Sequence, residues 1–202
     1  MKYKLVSVPL TSEHWNTQYT GHGAVEFASK TQKHLLISPK YPQNEKETYA
    51  ALVTLKATEQ RPLKDYVVEV EVTSQKQLRP ENPNEWEVFW FFGNYRMGDN
   101  GKKEANYFLS KPRTGIELGR VYQEVGQDFL STYSRPQLHL GERSRWTFYK
   151  RGQRFRVYKD RQLIMDYTGR TPRQELYDHP GTFGLYSEDA LVLIHSFKYT
   201  PL

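Results

Sequence analysis

The sequence predicts an all-β fold, an antiparallel two-sheet β-sandwich, on three observations. Short apolar runs with period-two alternation recur from end to end. Glycine, proline, asparagine and aspartate cluster between those runs, where turns need them. No segment sustains a 3.6-residue apolar period of helix length; the one candidate for a helical turn or two is Pro172 to Tyr177.

Each run has its own justification. Leu35 to Ser38 is a short apolar strand, and Ala50 to Ala57 alternates Ala51, Val53 and Leu55 against Leu52, Thr54 and Lys56. Tyr66 to Thr73 puts Val68, Val70 and Val72 on one face and Val67, Glu69 and Glu71 on the other. Trp86 to Phe92, Asn106 to Lys111, Gly115 to Arg120, Arg145 to Lys150, Phe155 to Lys159, Gln162 to Tyr167, Gly181 to Tyr186 and Leu191 to Tyr199 follow. Turns are expected at Asp99-Asn100-Gly101, Lys111 to Gly115, Lys150 to Gln153 and Lys159 to Arg161. With no linker, repeat or low-complexity tract, residues 1–202 read as one domain.

Composition removes several function classes. There is no cysteine, which excludes disulfide frameworks, Cys-type zinc fingers and thiol catalysis. The six histidines show no metal-ligand spacing, and no phosphate-loop, dinucleotide or Gly-x-Ser-x-Gly motif occurs. No run approaches a membrane span, so no membrane insertion is expected. The N-terminal residues lack the apolar core of a signal peptide, which leaves a cytoplasmic protein or one secreted after removal of a leader. The net charge is +6, yet Lys and Arg are interspersed with acidic residues. The densest basic stretch (Arg143, Arg145, Lys150, Arg151, Arg154, Arg156) reads as a hairpin with charge on its solvent face, which protects a sheet edge. No nucleic-acid partner is expected, since no reader motif is present.

Several segments, taken in order over residues 48 to 199, resemble the concanavalin A-like lectin/glucanase superfamily. Within it, the likeness is to microbial galectin-like proteins of unknown function and to the domain named for 3-keto-disaccharide hydrolysis. The segments are Asn84 to Trp90, Asn106 to Lys111, Gly115 to Arg120, Gln127 to Thr132, the hairpin from Arg145 to Tyr167, and Gly181 to Ala190 with its Gly-x-x-Gly-Leu-Tyr strand. The resemblance implies a jelly roll that handles an oligo- or polysaccharide. It also brings in calcium as a candidate ion, because many relatives place an Asp in the last strand. This chain has Ile194-His195-Ser196-Phe197 there. Glu188 and Asp189, in the loop after the Gly-Leu-Tyr strand, are the remaining candidate ligands, with a structural role the favoured alternative.

The candidate site centres on Trp86 to Phe92. Period two groups Trp86, Val88, Trp90 and Phe92 against Glu87, Phe89 and Phe91, and the second set, a carboxylate among Phe rings, suits a sugar-binding groove. A phase error of one residue exchanges Glu87 and Phe89 for Trp86 and Trp90. The hairpin Tyr107 to Arg120 supplies Tyr107, Lys111 and Glu117, and Arg79, Arg120 and Gln127 are expected at the rim. The basic balance makes an acidic glycan attractive. Carbohydrate binding is the first expectation.

An enzyme using the same groove is the alternative, with Glu87, Glu117 and His139 as catalytic candidates. A glycosidase needs two carboxylates about 5 Å apart for retention or roughly 6.5–9.5 Å for inversion. The Glu-x-Asp-x-x-Glu string of the laminarinase-type hydrolases is absent. Gln137-Leu138-His139 resembles the Gln-x-His strand of alginate-lyase-type jelly rolls, with Arg113 upstream, and is equally an edge strand.

Overall fold

A computed structural model describes residues 3–56, 62–97, 101–122 and 126–202. The expected turn at Asp99-Asn100 and the end of the expected strand at Ala57 lie outside the described residues. Fifteen strands occur among those described, in two antiparallel sheets. Both the sandwich class and its antiparallel order are as the alternation pattern predicts.

The eight-stranded sheet has the order β13(Gln162–Thr168), β12(Arg154–Lys159), β11(Ser144–Arg151), β6(Tyr66–Gln77), β15(Ala190–Pro201), β4(Leu35–Ser38) and β3(Ala24–Glu26), with β1(Val6–Val8) also pairing β15. The seven-stranded sheet runs β10(Gly126–Tyr133), β9(Gly115–Tyr122), β8(Lys103–Lys111), β7(Phe89–Met97), β14(Thr182–Glu188), β5(Ala50–Leu55) and β2(Trp15–Tyr19). Strands β1, β2 and β3 are too short or too polar to announce themselves by alternation. Within Pro172 to Tyr177 there is one turn, Pro172 to Gln174, closed by the Gln174 N–H on the Thr171 carbonyl, and no helix. Gln137 to Leu140 is not a strand, although the Leu138 N–H bonds the Lys111 carbonyl.

The two sheets face each other across an apolar layer, the arrangement that buries one face of each. Val68, Val70 and Val72 of β6 enter that layer, while Glu69 and Glu71 point outward to Lys198 and Arg145. From the other sheet come Phe91, Phe108 and Phe183; Phe91 stacks on Phe148 with ring centroids 4.2 Å apart and planes 2° apart. This contact fixes the phase of β7. With Phe89 and Phe91 inside, Trp90 and Phe92 stand on the outer face.

The basic hairpin does form the edge of the larger sheet, where Arg154 and Arg156 share Asp166, and Arg143 and Arg145 share Glu71. Lys150 departs from the expected solvent face. Its side chain is fully buried, and its ammonium is held by Asp178 at 2.5 Å and the Lys64 carbonyl at 2.9 Å. Alternation puts it inward in line with Trp146 and Phe148, and the two acceptors make that burial tolerable.

The assignment of faces predicts unequal costs of truncation. Phe91→Ala should destabilise the fold by about 3–5 kcal/mol. Phe129→Ala, whose ring is 66% exposed, should stay within about 0.5 kcal/mol in urea denaturation. Equal losses would contradict the burial of β7 described above.

Candidate functional site

The outer face of the seven-stranded sheet carries a second aromatic layer. Register aligns Glu117, Leu109, Trp90, Tyr186, Leu52 and Tyr19 in one row across β9, β8, β7, β14, β5 and β2. The next row is Gly119, Tyr107, Phe92 and Gly184. Neighbouring rings pack at ordinary aromatic distances: Trp90 on Tyr107 at 4.9 Å, Trp90 on Tyr186 at 5.5 Å and Phe92 on Tyr186 at 5.1 Å. Above this floor lies a groove of about 450 Å³, walled by Trp86 and Phe129 and edged by Lys103, Lys111, Glu117, Gln127 and Glu188.

One wall is a neutralised polar triad. The Tyr107 hydroxyl donates to Glu117 Oε1 at 2.8 Å, and the Lys111 ammonium donates to Oε2 at 2.7 Å. Gly119 makes this possible, since a Cβ there would sit 2.4 Å from the Tyr107 hydroxyl. Burial, with the Glu117 charge adding to it, raises the Tyr107 pKa far above the phenol range, so Tyr107 remains a donor. On the opposite side, the Tyr186 hydroxyl donates to Glu188 at 2.6 Å. Burial raises the Glu188 pKa, reinforced by the charges of Asp189 and Glu87 and opposed by the Tyr186 and Trp86 hydrogen bonds.

Tyr107, Lys111 and Glu117 therefore come together as expected, with Gln127 lining the groove from the neighbouring strand β10. Other expected members lie elsewhere. Phe89 and Phe91 are in the inter-sheet core. Glu87 precedes β7 in a turn, is fully buried, and accepts from Arg79 Nε at 2.5 Å and Asn84 Nδ2 at 2.7 Å. Arg79 is not at the rim; it is buried, and also donates to Asp189 Oδ2 at 2.8 Å. Arg120 is on the opposite face of β9, paired with Asp128 at 2.6 Å and lying over Tyr177. His139 is in the loop after β10 and does not line the groove.

The residues that take the vacated places are Trp86, Trp90, Phe92, Phe129, Tyr186 and Glu188. The signal that could have found Trp86, Trp90 and Tyr186 is the kind of aromatic. Trp90, Tyr95, Tyr107 and Tyr186 share the groove face, where an N–H or O–H finds a partner or water, and Phe dominates the core face of the same strands. The Trp90 indole N–H, for example, donates to the Trp86 carbonyl at 2.7 Å.

Two chemical consequences follow. Glu87 and Glu117 do not share a face, so they are not a glycosidase pair. Glu117 and Glu188 do share one, but β9 and β14 are three strand spacings apart, about 14 Å at the backbone. Each carboxylate is committed to its own partners instead, Glu117 to Tyr107 and Lys111 and Glu188 to Tyr186. Calcium fares no better. Glu188 faces the groove while Asp189 turns inward, where its oxygens accept from Arg79 and the Tyr49 N–H. In the last strand His195 bonds the Thr73 hydroxyl, and no group of three acidic or histidine side chains forms among the described residues. A calcium ion needs six to eight oxygens, and the residues at these positions do not supply them.

The raised pKa of Glu188 has a definite linkage sign. The folded state holds this proton more tightly than the unfolded chain, so the contribution is complete below the ordinary glutamate pKa. It is lost as pH rises through the elevated folded value. Wild type should therefore lose stability relative to Glu188→Gln across that window, in urea denaturation at stepped pH. A pH-independent difference would contradict the burial of this carboxyl.

No family model matches this sequence, and no curated protein matches it. Solved structures do match in shape. The carbohydrate binding module CBM66 from Bacillus subtilis superposes with a TM-score of 0.61 at 13% identity, covering 92% of this chain and 96% of that one. The VIP36 exoplasmic/lumenal domain, in its Ca2+/Man3GlcNAc-bound form, gives 0.61 at 14% identity, covering 98% and 91%. The Bacillus licheniformis β-glucanase gives 0.60 at 11% identity, covering 100% of both chains. The chain has the two-sheet jelly-roll fold of the concanavalin A-like lectins and glucanases.

Proposed function

We propose that this chain binds a carbohydrate, without turnover, in the groove on its seven-stranded sheet. The observation that carries the reading is the pair of exposed rings, Trp86 (46% exposed) and Phe129 (66%), standing over an otherwise buried aromatic floor. Exposed aromatic faces that wall a groove are suited to the C–H surface of a pyranose, and the polar edge supplies hydrogen bonds of both senses. Lys103, Lys111 and Gln127 donate to sugar oxygens, and Glu117 and Glu188 accept from hydroxyls. Structural neighbours that include a carbohydrate binding module and a lectin domain bound to Man3GlcNAc support the ligand class.

The charge of the groove favours a neutral sugar over an acidic one. Its two Lys and two Glu balance, and Lys111 is already paired with Glu117. Much of the excess of basic residues behind the expectation of an acidic glycan lies instead on the β11–β13 hairpin of the other sheet. The commitment of Glu117 to Tyr107 and Lys111, and of Glu188 to Tyr186, supports binding rather than hydrolysis.

Affinity electrophoresis through neutral and acidic polysaccharides tests this. Wild type should be retarded by at least one neutral gel, and Trp86→Ala and Phe129→Ala should each weaken retardation about tenfold, the equivalent of ~1.4 kcal/mol. Retardation confined to acidic gels and indifferent to both variants would refute the groove.

A further inference from the structure

The groove owes two of its outward-facing residues to a cluster it does not contain. Trp86 is followed by Glu87, and Glu188 by Asp189. In each pair the first residue lines the groove and the second is fully buried. Both buried carboxylates converge on one guanidinium. Arg79 donates through Nε to Glu87 at 2.5 Å and through Nη2 to Asp189 at 2.8 Å. Its remaining contacts reach the Glu45 carbonyl at 3.1 Å, the Asn44 carbonyl at 3.3 Å and the Thr48 hydroxyl at 3.1 Å. The fork of Arg79 thus ties together the 44–48 loop, the turn before β7 and the turn between β14 and β15. Two buried carboxylates without a cation would repel each other and force the turns apart. No other cation contacts either of them among the described residues.

We propose that Arg79 is the positioning residue of the groove, a built-in cation that sets Trp86 and Glu188 in place and does so without a metal. The inference rests on the groove being the ligand site, but its mechanism is readable without any ligand. A lysine cannot substitute, because one ammonium lacks the planar fork that spans two acids and three further acceptors. Arg79→Lys should therefore keep the charge and lose the placement.

The chain has four tryptophans, Trp15, Trp86, Trp90 and Trp146, and labelling with 5-fluorotryptophan gives each a separate 19F NMR resonance, assigned by Trp→Phe variants. In Arg79→Lys the Trp86 resonance should shift. Trp90 should shift with it, since its indole N–H donates to the Trp86 carbonyl. Trp15 and Trp146, in the inter-sheet core, should not. Glu87→Gln should move the same two resonances, and it decides the matter if the lysine variant does not fold. Movement of all four, or of none, would overturn the proposal. Calcium added to metal-free wild type, or a chelator added to the protein as purified, should leave all four unchanged; a shift of Trp86 would overturn metal independence. Retardation by a neutral polysaccharide should fall about tenfold in Arg79→Lys, as expected for a site whose support is loosened. A wild type with no glycan affinity but the predicted pattern of resonances would refute the proposed ligand and leave the clasp standing.

Discussion

The phase of β7 is the constraint on which everything else depends. A central strand of a sandwich is apolar on both faces, and its alternation alone does not say which face meets the other sheet. Two interactions decide it here. Phe91 stacks flat on Phe148 in the dry layer between the sheets, with Phe108 packed beside the pair. At the start of the strand, Glu87 is anchored to Arg79, so its predecessor Trp86 is turned out. A slip of one residue would strand a carboxylate and expose the Phe stack.

From that phase the groove follows by register. Trp90 brings Leu109 and Glu117 into line on one side and Tyr186 on the other, and the Gly119 gap lets Tyr107 lie flat enough to bond Glu117. Both carboxylates of this face are partnered within it, Glu117 by Tyr107 and Lys111, and Glu188 by Tyr186. A site of that kind is preorganised: its donors and acceptors are oriented before any ligand arrives, which lowers the entropy lost on binding.

The fold was legible because strand alternation and turn chemistry are local signals. Val68, Val70 and Val72 announce an inward face, and the Tyr107–Lys111–Glu117 grouping follows from the same period-two rule across one hairpin. What was not legible required pairing between distant segments. Nothing near Arg79 in sequence shows that its acids are eight and 110 residues away. Phe129 looked like one more strand residue until β10 placed it opposite Gly119, beside the groove. Lys150, assigned to solvent by its charge, is buried because alternation outranks charge where Asp178 can meet it.

The most direct test of a ligand site on this face is amide chemical-shift mapping of isotope-labelled protein, titrated with an oligosaccharide fragment of the polysaccharide that retards it. The perturbed amides should concentrate around Trp86 and on β7, β8, β9, β10 and β14, with Trp90, Lys111, Gln127 and Glu188 among them. Perturbations gathered on the β11–β13 hairpin, with the groove residues unmoved, would contradict the account.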